Sequence, residues 1–167
     1  MAEIVVADAG PLIAFAHLDR LSLLAEILGR IIVPDSVLQE CLYIPSRPDA
    51  VMIKSAVDEG VLTVQVSNDA PLEGLSSSLG IGEQSAISIA LTLDCAVLVD
   101  DKLARRAASY LGLRVIGTGG VLIKARQMNR IPEVAPLLET LRTKGYHLSS
   151  GLIDRILQMT GEEHRGT

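Results

Sequence analysis

The sequence predicts an α/β fold of three layers, α/β/α, with a mostly parallel central sheet. Three observations lead there. Short continuous apolar runs such as Ile4-Val5-Val6-Ala7, Ile31-Ile32-Val33 and Ala96-Val97-Leu98-Val99 alternate with longer helical stretches, the pattern of βαβ units. These runs are apolar at every position, as in strands covered on both faces, rather than alternating as in half-exposed ones. Of the 167 residues 49% are hydrophobic but only 2% aromatic, an aliphatic composition suited to helices packed on a buried sheet. A chain of this length is most simply one domain, able to bury roughly 70% of the surface its unfolded state exposes.

The first strand, residues 4–7, ends at Asp8, and Asp8-Ala9-Gly10-Pro11 breaks it before a helix over 12–18. A second helix over 21–28 is stopped by Gly29, and a strand over 31–33 follows. Pro34-Asp35-Ser36 opens a helix through Glu40 to about Leu42, with Asp35 or Ser36 as N-cap. Pro45 and Pro48 mark a loop; a helix over 49–59 ends at Gly60, and residues 61–66 alternate like a strand. Residues 67–82 carry the weakest pattern. A strong helix over 83–93 precedes the strand 96–99, and Asp100-Asp101 then opens a helix to Leu111 that Gly112 closes. The last strand, 115–116, runs into Gly117-Thr118-Gly119-Gly120, and helices over 121–128, 132–141 and 151–159 complete the chain. In open parallel sheets ligands bind beyond the carboxyl ends of the strands. Asp8, Asp100/Asp101 and Thr118 all follow strands directly and converge on that edge.

Composition removes several function classes. The net charge is −5, against a broad basic surface for nucleic acid, so any polyanion must be gripped locally. With Phe15, Tyr43, Tyr110 and Tyr146 as the aromatic residues and no tryptophan, a base-stacking platform is not expected. Cys41 and Cys95 lie far apart in apolar stretches with no partner at zinc-ligand spacing, and read as buried reduced thiols. The apolar run 86–99 is broken by Ser88, Thr92 and Asp94, so no membrane span is expected. Glu3 and Asp8 interrupt what would be a signal-peptide core, which predicts a cytoplasmic protein.

Against this apolar background the acids at element boundaries stand out. Carboxylates at the ends of buried strands carry a desolvation cost that a bound metal ion removes, so Asp8, Glu40, Glu83 and the pair Asp100/Asp101 are candidate metal ligands. Each has a structural alternative. Asp8 can close an Asx-turn. Glu83 shares the arc of its helix that carries Ile87 and Ala90, yet in the first turn it also offsets unpaired amides. Glu40 lies at the rim of its helix's apolar face, where it either reaches inward or stays solvated, and either Asp100 or Asp101 is well placed as an N-cap. On the helix that follows, Lys102, Arg105, Arg106 and Ser109 share one face beside these acids. That arrangement suits a phosphate approaching a metal, and equally a solvated face with i,i+4 pairs.

Other chemistries lack their residues. Gly117-Thr118-Gly119-Gly120 has no Gly-Lys-Ser/Thr after it and is no P-loop; Gly80-Ile81-Gly82 is too short for a dinucleotide fingerprint. A phosphatase with an aspartate nucleophile wants a second acid where Gly10 stands. His17, His147 and His164 are scattered, so a hydrolytic triad has no support. A receiver-like domain would need a phospho-acceptor at the end of a middle strand and a later lysine, and neither is evident.

Taken in order, the residues 4–13 (IVVADAGPLI), Val33-Pro34 with Val37 and Glu40, Gly80-Ile81-Gly82-Glu83-Gln84-Ser85-Ala86-Ile87, the run from Val97 through Asp100-Asp101 to Arg105, and Gly117-Thr118-Gly119-Gly120-Val121-Leu122 resemble the PIN-domain family of metal-dependent nucleases. The stretch from Gly145-Tyr146-His147-Leu148-Ser149 to Gly161-Glu162 is similar to a prokaryotic PIN-like subgroup described as a domain of unknown function. The resemblance implies a PIN-like nuclease domain over 1–142 with a C-terminal helical extension, 143–167, of the same domain. It implies that Asp8, Glu40, Glu83 and one of Asp100/Asp101 form the catalytic set, binding Mg²⁺ or Mn²⁺; spacing to Ala104, where many relatives carry an aromatic residue, favours Asp101. An all-carboxylate set agrees with hard cations rather than zinc. Thr118 occupies the place where many relatives have a further acid, and with Lys102, Arg105 and Arg106 is expected to contact substrate. The activity implied is endoribonucleolytic cleavage of single-stranded or structured RNA to a 5′-phosphate, in a toxin-type homodimer with an antitoxin partner. The alternative is a non-catalytic nucleic-acid or partner-binding module with a weakened metal site.

Overall fold

The computed structural model describes residues 3–67, 72, 74–75 and 78–162 of the chain; His164 lies outside the described residues. Among the described residues five strands, β1 (Ile4–Ala7), β2 (Arg30–Pro34), β3 (Leu62–Gln65), β4 (Ala96–Leu98) and β5 (Val115–Ile116), form one sheet in the order β3-β2-β1-β4-β5. Every neighbouring pair is parallel, with Val5 of β1 beside Ile31 of β2 on one side and Ala96 of β4 on the other. The helices are α1 (Ala9–His17), α2 (Leu21–Leu28), α3 (Asp35–Cys41), α4 (Pro48–Asp58), α5 (Ile81–Leu93), α6 (Lys102–Tyr110), α7 (Thr118–Gln127), α8 (Ala135–Thr143) and α9 (Ser150–Thr160).

Successive residues of β1 serve opposite cores, as the two-residue period of a strand requires. Val5 and Ala7 pack with Leu12, Leu24, Ile53 and Leu122 on one face of the sheet. Val6 packs with Ile32 and Val97 against Ala86, Ile87 and Ala90 of α5 and Ala104 and Ala108 of α6 on the other. This is the three-layer α/β/α arrangement. Each fully buried Leu or Ile contributes roughly 1.5–3 kcal/mol over leaving it exposed, so the two cores fix which ends of the helices meet the strand ends. The C-terminal helix belongs to the first core through Ile156 and Leu157, and no helix among the described residues is long and apolar enough to cross a membrane.

Several boundaries differ from expectation. α1 begins directly after Asp8 rather than after Pro11, because a proline in the first turn removes an amide that has no intrahelical acceptor anyway. α5 begins at Ile81, two residues before Glu83. The glycine-rich segment after β5 is already helical from Thr118. There Gly119 lets α9 approach, since a Cβ at that position would stand 2.7 Å from Ile156 Cδ1. Neither Asp35 nor Ser36 is the N-cap of α3, which is Pro34. The Asp35 carboxylate instead accepts from the Ser67 amide (3.0 Å) and hydroxyl (2.6 Å), tying the exit of β3 to α3. The two cysteines are free, Cys41 buried and Cys95 half-buried.

Candidate metal centre

The sheet's order reverses direction at β1, which has β2 on one side and β4 on the other. The crevice beyond the carboxyl ends of β1 and β4 is therefore the switch point where open parallel sheets bind ligands. Asp8 follows β1 there, its amide donating to the Leu98 carbonyl at 2.9 Å. It occupies the N-cap position of α1, but its side chain makes no cap hydrogen bond, so the Asx-turn alternative does not account for it. The residue is 6% exposed, and Oδ1 is buried with no hydrogen-bond partner. Burial foremost, together with the charges of Glu83, Glu40 and Asp101 and only partly offset by the Ala9 amide, pushes its pKa from 3.8 up to about 7. A buried carboxylate with an idle oxygen and three acids around it costs stability unless something cationic compensates.

Glu40 reaches the same crevice from α3. A Cβ on Gly82, in the first turn of α5, would stand 3.0 Å from Glu40 Oε2 and 3.7 Å from Asp8 Oδ1, so both acids border the open space over that glycine. Glu83 is on the next residue of α5. Its Oε2 accepts from the Gly80 amide at 2.9 Å, which is the helix-capping alternative realised, while burial, Asp101 and Glu40 raise its pKa. Asp101 is the N-cap of α6, accepting from the Ala104 amide at 3.0 Å. Among the described residues no three acidic, histidine or cysteine side chains already stand at ligand spacing. The local caps of Glu83 and Asp101 supply the physical reason, because each turns a carboxylate toward its own helix.

Asp100 has a different environment. Oδ1 accepts from the Thr118 amide at 2.8 Å, and Oδ2 accepts from the Thr118 hydroxyl at 2.5 Å and from the Tyr146 hydroxyl. These bonds lock Asp100 to the start of α7, so it is Asp101, not Asp100, that faces the acid cluster. Thr118 is 0% exposed and its hydroxyl is spent on Asp100; the expectation that it touches substrate is corrected to a supporting role. Tyr146 is the residue that sequence reasoning missed. A lone tyrosine after Gly145 in a loop carries no local signal of a partner 46 positions earlier. Gly10 makes room for its hydroxyl, which would lie 3.2 Å from a Cβ there, and burial followed by the charge of Asp100 pushes the phenol's pKa up.

The cations of α6 divide as well. Arg105 folds back, Nη1 donating to the Val99 carbonyl at 2.9 Å over Gly117, where a Cβ would meet it at 2.5 Å. It secures the β4–α6 turn that carries Asp101. Lys102 and Arg106 are exposed.

The PIN-domain family profile DUF3368 matches residues 4–162. The chain belongs to the PIN-domain family. Its fold is similar to that of a PilT N-terminus domain protein from Sulfolobus solfataricus, at 17% sequence identity and a TM-score of 0.50 over 87% of this chain and 97% of that one. A domain of a functionally unknown protein from Methanocaldococcus jannaschii also matches, at 18% identity and a TM-score of 0.46 over 70% of this chain and 91% of that one. No curated protein matches. PIN domains are in general nucleases, usually with divalent metals.

The acids of this PIN domain fit such an ion. The idle Oδ1 of Asp8 and the side-chain-free space at Gly82 bordered by Asp8 and Glu40 provide donor and room. Carboxylate oxygens without thiolate or imidazole suit a hard cation.

Proposed function

We propose that this PIN domain is a Mg²⁺- or Mn²⁺-dependent endoribonuclease whose metal is held by Asp8, Glu40, Glu83 and Asp101. The observation that carries the reading is Asp8, a carboxylate 6% exposed, without a partner for Oδ1, and with the charges of Glu40, Glu83 and Asp101 on it. When bound, the cation supplies a lowered pKa for an attacking water and charge neutralisation at the phosphate. Asp8 is fixed at the strand end and would anchor the ion; Glu40 and Glu83 would close on it from α3 and α5. For Glu83 this means leaving the Gly80 amide, at a cost of about 1 kcal/mol for a lost cap. Asp101 completes the set from the N-terminus of α6, with Asp100, Thr118, Tyr146 and Arg105 holding that turn in place. Lys102 and Arg106 would draw the phosphate backbone toward the acids, offsetting the repulsion of a chain of net charge −5.

The choice of RNA, the 5′-phosphate product, the toxin role with an antitoxin partner and the homodimer rest on the family resemblance alone. The test is cleavage of single-stranded RNA with Mn²⁺, with EDTA, and by Asp8→Asn and Glu83→Gln. Loss of activity of at least about a thousandfold is expected for Asp8→Asn, while undiminished activity in either variant sinks the assignment. A second reading, a PIN-like binding module with a weakened site, is favoured by the engagement of Glu83 and Asp101 in caps. Calorimetric Mn²⁺ titration separates the two, since a pure binding module shows no affinity that depends on Asp8.

A further inference from the structure

A cavity of about 880 Å³ has Asp100 in its wall but none of Asp8, Glu40, Glu83 and Asp101. Its walls carry Lys102 and Arg105 of α6, Arg114 at the entry to β5, Lys124 of α7, His147, and Arg155 of α9. Five of the chain's 15 lysines and arginines thus face one cavity in a protein whose net charge is −5. Two acids, Glu3 and Asp100, line it as well, so three cations stand in excess. Glu3 pairs with Arg114 at 3.5 Å, and both oxygens of Asp100 are taken by Thr118 and Tyr146. Among the described residues Lys102, Lys124 and Arg155 make no ion pair. Gathering like charges in excess of their counter-charges destabilises a fold, and a cleft with an excess of one sign raises the local concentration of the opposite one.

We infer that this cavity binds the sugar–phosphate backbone of single-stranded nucleic acid flanking the phosphate presented to the acid cluster. The cations come from four separate elements spread around a large cavity, an arrangement for successive phosphates rather than for a single small anion. Among the described residues no Phe, Tyr or Trp lines the cavity and His147 is its one ring, so it reads backbone charge with little base preference. Asp100 connects the two sites. Its neighbour Asp101 borders the acid cluster, whereas Asp100 itself forms part of the cavity wall. Arg155 is brought there by the packing of α9 on α7, where Ile156, the next residue, is fully buried against Gly119. The C-terminal helix therefore completes the cavity. The inference rests on the nuclease reading for the identity of the polyanion, but not for the presence of the site.

Binding is measured by fluorescence anisotropy of a short labelled single-stranded RNA in EDTA, where no metal contributes, over a range of salt concentrations. Lys124→Ala combined with Arg155→Ala, both exposed side chains, is expected to weaken binding at least about tenfold. It should also reduce the slope of log K against log salt by about 1.4, because each phosphate that a cation neutralises on a single strand accounts for ~0.7. Lys54→Ala, removing a cation of α4 paired with Asp58, is the control and should leave both unchanged. Unaltered affinity and slope in the double variant, with its melting curve intact, overturn the inference. So does competition by polyglutamate as strong as that by unlabelled RNA, which assigns the cavity to an acidic protein segment instead. Failure of the nuclease reading is separately visible: RNA binding that depends on Lys124 and Arg155 without Mn²⁺-dependent cleavage leaves the cavity standing and removes the enzyme. Cleavage whose KM ignores the double substitution does the reverse.

Discussion

At Gly82 the missing side chain is what leaves space between Glu40 and Asp8. Alanine there would place a Cβ 3.0 Å from Glu40 Oε2 and 3.2 Å from Val37 Cγ2, tight enough that each neighbour must give by a few tenths of an ångström. The first can relieve itself by moving a flexible carboxylate outward, the second only by a small shift of a buried valine. Glycine within a helix is itself unfavourable by roughly 0.5–1 kcal/mol against alanine. The two effects oppose each other in stability but not in function. Gly82→Ala is expected to change unfolding free energy by no more than about 1 kcal/mol, while Mn²⁺ affinity measured by calorimetry falls at least about tenfold as Glu40 is displaced. A variant that binds Mn²⁺ like the parent would show that Glu40 is no ligand.

Among the helices, α8 shows how far the C-terminal residues reach back. Its first amides are capped not by a local residue but by Glu162, beyond the end of α9, whose carboxylate accepts from Val134 at 2.9 and 3.0 Å and from Ala135 at 2.9 Å. The link joins the last described residue to the start of α8 and braces α9, which positions Arg155. Glu162→Ala removes a charge-assisted cap worth about 1–2 kcal/mol, and urea denaturation should register a loss of that size. An unchanged midpoint would mean that water replaces the cap at no cost. Helix starts were the least legible elements for the same reason. Thr118 begins α7 because Asp100, 18 residues away, accepts from its amide, and no pattern within residues 117–120 announces such a partner. Strands and helix ends were legible because their causes are local. The apolar runs at 4–7 and 31–33 are strands, and Gly29, Gly60 and Gly112, all at positive φ, stop the helices before them.

For the molecule as a whole, the acid cluster predicts how stability depends on pH. Asp8 ionises near 3.8 when unfolded and at about 7 when folded, so between those values the folded state holds a proton that the unfolded state has released. Stability therefore declines as pH rises from about 4 through about 7, and Glu83, raised in the same direction, adds to the trend. For Asp8 the total is on the order of a few kcal/mol. In EDTA, the melting temperature of the parent should fall across this window relative to that of Asp8→Asn, whose neutral amide cannot titrate. Added Mg²⁺ should raise it more at pH 8 than at pH 5, because the ion competes with the protons. Parallel curves for the two proteins would show that Asp8 carries no such strain.

The fold class, the order of most elements and the acids at the strand ends are legible in the amino-acid order alone, since apolar periodicity and turn residues act over a few positions. So is the fact that Asp8 has little to do with packing, because an ionisable group closing a run of buried residues needs a partner that its neighbours do not supply. The partners of Asp100, by contrast, are long-range, since Thr118 and Tyr146 reach it only in the folded chain. Folding likewise brings Glu40 and Gly82 to Asp8 and gathers cations from α6, α7 and α9 around one cavity. Those relations join residues that lie tens of positions apart in the chain, and they exist only where parallel strands and their crossover helices bring distant segments to the same edge of the sheet.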